Sequence, residues 1–197
     1  MSKLETNQVD PATGTTLTLG TSGDTIAIPS GVTIANSGTQ TGFGKILQVV
    51  STTKTDVFTA AAADTWHDVT GLTATITPSA TSSKILVSGH VMGCSQDASA
   101  TKRFFVLLLR GSTVIGEGDA SSSRLQVHNS SFSANGANNA TVPVHFLDSP
   151  SSTSSLTYKI QVRDDTSGVR VNAAPGDSDS DTYARAVSTI TLMEVAG

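Results

Sequence analysis

Between residues 15 and 35, aliphatic side chains alternate with small polar ones. Thr15-Thr16-Leu17-Thr18-Leu19-Gly20 is followed by Asp24-Thr25-Ile26-Ala27-Ile28-Pro29 and then by Ser30-Gly31-Val32-Thr33-Ile34-Ala35, with Gly, Ser or Pro closing each unit. A period of two is the mark of a half-buried strand. The apolar set, however, is only Leu17, Leu19, Ile26, Ile28, Val32 and Ile34. Six aliphatic side chains do not build a core inside one chain; they need copies of themselves. The segment therefore predicts an extended, intertwined β stem in an oligomer, not a catalytic domain.

The remainder of the 197 residues suffices for one sizeable domain. Ser and Thr are abundant at 27 and 29 residues, and charged residues make up only 14%. That composition alone would fit disorder, but 37% of residues are hydrophobic and they lie in strand-like runs. Thr and Val favour strands, while Gly, Ser and Asn supply turns. The net charge of −4 leaves no basic stripe to neutralise phosphates, which argues against nucleic acid, and Lys102-Arg103 reads as a solvated strand end. Cys94 is the one cysteine, so no intrachain disulfide forms, and in Val91-Met92-Gly93-Cys94 it reads as a small buried hydrophobe. Met1-Ser2-Lys3-Leu4-Glu5-Thr6-Asn7 is too polar for a signal peptide, and the apolar run 104–109 is too short to span a bilayer. No membrane insertion is expected.

Two units follow. Residues 1–44 form the stem or anchor, ending in the glycine-rich connector Asn36-Ser37-Gly38-Thr39-Gln40-Thr41-Gly42-Phe43-Gly44. Residues 45–197 form the head. Strands are predicted there at 46–53, 57–59, 66–69, 72–77, 84–92, 103–109, 113–115, 124–128, 141–147, 156–163, 169–172 and 184–195, with Ser, Gly, Asn, Asp and Pro clusters between them. No sustained helical period appears. The fold class is all-β: two packed antiparallel sheets, with a jelly-roll-like sandwich fitting best. Phe104-Phe105-Val106-Leu107-Leu108-Leu109 is apolar at every position, as in a strand covered on both faces. One sandwich face normally meets water, so Phe104, Phe105, Leu107 and Leu109 are expected at an interface with a neighbouring subunit.

No catalytic constellation emerges. There is no Gly-x-Ser-x-Gly elbow, P-loop or His-Glu-x-x-His, and Gly116-Glu117-Gly118 lacks the rest of a dinucleotide fingerprint. His67, His90, His128 and His145 are scattered; His90 and Cys94 would sit about 13 Å apart on a strand, too far for a dyad. The acidic loop Asp177-Ser178-Asp179-Ser180-Asp181 has oxygens for Ca²⁺ but lacks EF-hand spacing, so a solvated turn is the plainer reading. Trp66 can stack on a sugar or fill a core, and the core is the commoner place. Neither catalytic residues, cofactor nor metal is expected.

Leu4-Glu5-Thr6-Asn7-Gln8-Val9-Asp10-Pro11-Ala12-Thr13-Gly14-Thr15-Thr16-Leu17-Thr18-Leu19-Gly20, with Ser22-Gly23-Asp24-Thr25 and Ile28-Pro29-Ser30-Gly31, resembles the N-terminal segment of tail-fibre-like and head-surface proteins of aquatic bacteriophages, cyanophages included. Trp66-His67-Asp68-Val69-Thr70-Gly71-Leu72, the stretch from Ile76 to Val87, and Ser188-Thr189-Ile190-Thr191-Leu192-Met193-Glu194 look like the β-sandwich head of such proteins. The resemblance implies a homotrimer with a thin stem and three heads at the virion surface, made in a host cytoplasm. It supplies no enzymatic residues. The expected function is a capsid-surface decoration, or cement, protein bound to the major capsid protein and stabilising the head, with contact to the host surface. The alternative is a short tail fibre seated on a tail or vertex protein, binding a host glycan through its Ser/Asn/Gly loops. A depolymerase would need a fixed pair of carboxylates, which nothing here supplies.

Overall fold

The computed structural model describes residues 9, 11–33, 38, 46–96, 102–133, 139–165 and 167–197. The chain divides into two compact units, Met1–Phe43 and Gly44–Gly197.

In the first unit, residues 11–33 contain bends and turns but no strand, where alternation predicts strand structure. The physical reason is that a strand needs a neighbouring edge, and residues 11–33 pair with no other segment among the described residues. Two tight turns punctuate the segment. Asp24 N donates to Thr21 O at 3.0 Å, and Val32 N donates to Pro29 O at 3.3 Å. Gly23 and Gly31 take φ of +96° and +85° at the third position of these turns, a region open to glycine at no steric cost. The amide and hydroxyl of Thr21 reach the Asp24 carboxylate at 2.6 and 3.1 Å, holding its pKa below the ordinary value. Ile34, most of the connector 36–44 and the motif residues 4–8 and 10 lie outside the described residues.

The second unit is all-β, with no helix among the described residues. Its strands are β1 Ile46–Lys54, β2 Phe58–Ala60, β3 His67–Ile76, β4 Lys84–Ser95, β5 Lys102–Arg110, β6 Thr113–Ile115, β7 Asn129–Ser133, β8 Ala140–Asp148, β9 Leu156–Asp164, β10 Val169–Val171 and β11 Ser188–Val195. Every pairing is antiparallel. One sheet runs β1-β11-β4-β8, with β10 and β2 continuing from the far end of β4. The other runs β3-β9-β5-β7, with β6 beside the far end of β5. The eight main strands are therefore divided between two four-stranded sheets in jelly-roll order, switching sheet at every step except the β5–β7 pair.

The core is the space between the sheets. Leu72, Ile76, Ile85, Val87, Val91, Phe104, Val106, Leu108, Tyr158, Ile160, Ile190 and Leu192 are all buried in one cluster. Strict alternation along β9 and β11 turns every second residue inward, and β3 does the same on either side of an irregularity at Thr70-Gly71. Polar groups stitch the layers. Asp148 on β8 accepts hydrogen bonds from Tyr158 OH on β9 and Arg110 on β5, both at 2.6 Å, which joins the two sheets. Burial, followed by that contact, pushes the Tyr158 phenol upward in pKa.

Three local expectations are corrected. The predicted strands at 66–69 and 72–77 are one strand, β3, with a register irregularity between Asp68 and Thr73. The alternation at 124–128 is not a strand; β5 pairs instead with the polar segment Asn129-Ser130-Ser131-Phe132-Ser133, with His128 N donating to Val106 O just before it. Lys102 is buried rather than at a solvated strand end.

Candidate functional site

The structure separates the expected site residues into two groups with opposite environments. In the first unit Leu17, Leu19, Ile26, Ile28 and Val32 are between 44% and 62% exposed. Their spacing brings no core together within the chain.

The β5 residues are the reverse case. Phe104 points into the sandwich core and is 2% exposed. Across the core it meets Gly93 on β4, where an added Cβ would lie 2.1 Å from Phe104 Cζ. Leu107 and Leu109 face the other way, yet they are only 5% and 4% exposed in the single chain. Their cross-strand neighbours are Gln161 and Lys159, both anchored to Asp68 at 2.7 and 2.8 Å. The second face of β5 is thus covered from within, and the apolar run requires no neighbouring subunit. Phe105 alone of the four is half-buried.

The four histidines hold separate contacts. His67 contacts Ala62 O at 2.9 Å, and His90 lies between Val187 O and Thr189 Oγ1 at 3.1 and 3.2 Å. His145 Nδ1 meets Ser88 Oγ at 3.2 Å. His128 Nδ1 meets Gly116 O at 2.9 Å, with its ring edge-on to Phe146. Burial is the main reason the His128 pKa lies below the ordinary value.

In the acidic loop, Asp177 forms an ion pair with Arg185 at 2.8 Å. Among the described residues, no three His, Cys, Asp or Glu side chains gather to hold a metal ion. Trp66 is half-buried. Cys94 is buried, donates to Ala173 O at 3.3 Å, and has its pKa pushed up to about 12 by burial, which makes it a poor nucleophile. The described residues include no helix long and apolar enough to cross a membrane.

Two features were missed in sequence. Asn172 and Glu194 are fully buried polar residues. Asn172 Nδ2 donates to Lys54 O and Asp56 O at 2.9 and 3.0 Å, and its Oδ1 accepts from Ser188 Oγ at 2.7 Å. The Glu194 carboxylate accepts from Ser79 N, Ser79 Oγ and Gln48 Nε2 at 2.6–2.7 Å. Glu194 does occupy an inward position in the alternation of the last strand, and a charge at such a position was the available signal.

No family model matches the chain, and no curated protein matches it. Among solved structures, the chain is similar to a chain in the structure of infectious bursal disease virus Gx strain, with 10% identity over 83% of this chain and 47% of that one, at a TM-score of 0.40. It is also similar to the infectious bursal disease virus VP2 subviral particle, with 13% identity over 83% of this chain and 42% of that one, at a TM-score of 0.35. The chain spans less than half the length of these solved chains, and likeness at this level carries no functional conclusion.

Proposed function

We propose that the protein is a non-enzymatic structural component of a virion surface, a homotrimer that decorates the head of a bacteriophage as a cement protein. The observation that carries this reading is the first unit: five aliphatic side chains at strand spacing, each open to solvent in the single chain. Packing of three such segments supplies the partner edges and the core that one lacks. The resemblance of this segment and of the head motifs to phage head-surface and tail-fibre-like proteins supports the same reading. A sandwich stabilised within its own chain suits a part repeated many times on a particle. Cementing then works by mass action, since binding only the assembled capsid stabilises it.

The test is the copy number in purified particles, by quantitative mass spectrometry against the major capsid protein. About one decorating chain per capsid chain is the expected result. A few per hundred would overturn the decoration reading and place the trimers on a tail or vertex, as a short fibre.

A further inference from the structure

The two outer faces of the sandwich differ in chemistry. The outer face of β3-β9-β5-β7 is laced with ion pairs: Asp68 with Lys159 at 2.8 Å, and Asp64 with Arg163 and Arg103 with Asp165 at 2.7 Å. The outer face of β1-β11-β4-β8 instead carries an apolar row across all four strands. Val49 pairs with Met193, Met193 with Leu86, and Leu86 with Leu147. Beside this row Ile46 pairs with Val195, and the irregularity between Ile46 and Gln48 leaves Leu47 exposed as the extra residue. Val49 is 57% exposed and Leu147 49%. Lys84, opposite Val195, is the charged residue at the corner of the band. The next row, Ser51, Thr191, Ser88 and His145, is hydrogen-bonded in pairs at 2.8 and 3.2 Å and marks the polar limit.

We infer that this band, and not β5, is where the heads of identical copies meet; the inference rests on the trimer reading above. Its size favours a tethered copy over an independent partner. The exposed large aliphatic side chains of the band are only Ile46, Leu47, Val49 and Leu147, far short of the roughly 20–30 residues a side of a standard interface. A free partner needs about 800 Å² per side for a stable complex. A patch this small holds only when association is already intramolecular, as it is once the first units have joined. Sequence continuity points the same way. Gly44 and Lys45 alone stand between Phe43, the last residue of the first unit, and Ile46, the first residue of the band. Whatever gathers three copies of the first unit also gathers three copies of β1. Charge agrees as well: chains of net charge −4 repel one another, and a nearly neutral face lets them approach.

The test uses the full chain carrying Val49→Cys, Val49→Cys with Leu147→Cys, or Phe105→Cys, treated with a short bis-maleimide near neutral pH. The native Cys94 is buried and stays protonated there. Val49 and Leu147 are surface positions, so folding is retained. Sedimentation of the untreated chain comes first, and a monomer would overturn the trimer reading itself. Given a trimer, the expected result is that most of the chain runs as covalent dimer and trimer from the band variants and none from Phe105→Cys. A trimer that cross-links only through Phe105→Cys, or through none of the variants, overturns the inference and leaves the trimer standing. Band cysteines that label freely in the isolated trimer, and are protected only on intact particles, assign the band to the capsid and overturn the inference as well.

Discussion

Two buried polar residues set the local stability of the head, and each gives a measurable expectation. Asn172 holds φ at +66° and satisfies Lys54 O, Asp56 O and Ser188 Oγ at once, tying the end of β1 to β10 and β11. Asn172→Ala removes the donor to Lys54 O and Asp56 O and the acceptor of the Ser188 hydroxyl, and adds strain at a positive φ. It should lower stability by about 2–4 kcal/mol in chemical denaturation. Asn172→Gly relieves the strain alone and should recover only the smaller part of that loss. Glu194 makes a pH-dependent contribution. Burial disfavours its charge, but the hydrogen bonds from Ser79 and Gln48 outweigh that and bring its pKa to about 2, against an ordinary 4.5. A carboxylate whose pKa is depressed on folding stabilises the native state above its unfolded value and loses that contribution as pH falls toward the folded value. Stability should therefore drop between about pH 4.5 and pH 2. Glu194→Gln should cost on the order of 2 kcal/mol at pH 7 and almost nothing near pH 2. Equal losses at both pH values would show that the carboxylate charge is not the source.

At the scale of elements, β5 shows what the sequence discloses and what it withholds. That residues 102–110 form a strand covered on both faces is readable from the apolar run alone, and the structure has it so. What covers each face is not readable, because it depends on which strands the topology brings alongside. Phe104 meets Gly93 from the opposite sheet, while Gln161 and Lys159 of β9 stand across from Leu107 and Leu109. The same limit hid β7: Asn129-Ser130-Ser131-Phe132-Ser133 lacks the apolar alternation that marks a strand, and only its pairing with β5 makes it one. Alternation identified β9 and β11 because one face of each meets the core, and split β3 in two at its irregularity, whereas polar hubs such as Asn172 depend on contacts far apart in sequence. Gly93 and Phe104 give the element-scale prediction. Gly93→Ala places a methyl within the Phe104 ring and should destabilise the head by about 1–3 kcal/mol. Combining it with Phe104→Leu should recover part of the loss, so that the double variant is more stable than the sum of the single effects predicts. Strict additivity in thermal unfolding would refute the contact.

At the scale of the whole molecule, the two units obey different physics. The second unit closes its own core, with Ile85, Val87, Leu108, Ile160, Ile190 and Leu192 fully buried and none of them drawn from the first. The described aliphatic residues of the first unit are in the open, and the alternation that predicts strands there pairs with no other segment among the described residues. Stability of the head and association of the chain are therefore separable quantities. Leu19→Asp with Ile26→Asp tests this. Both positions are exposed in the single chain, so the substitutions cost the monomer almost nothing. In an associated bundle of first units each would bury an unpaired carboxylate, at several kcal/mol per copy. Sedimentation velocity should show the proposed trimer replaced by monomer at micromolar concentration, while the head within the full-length variant melts within about 2 °C of the parent chain, the shift expected from a surface change. A variant that remains trimeric would locate self-association in the second unit, and a variant whose head melts early would mean that the first unit contributes to the fold of the second.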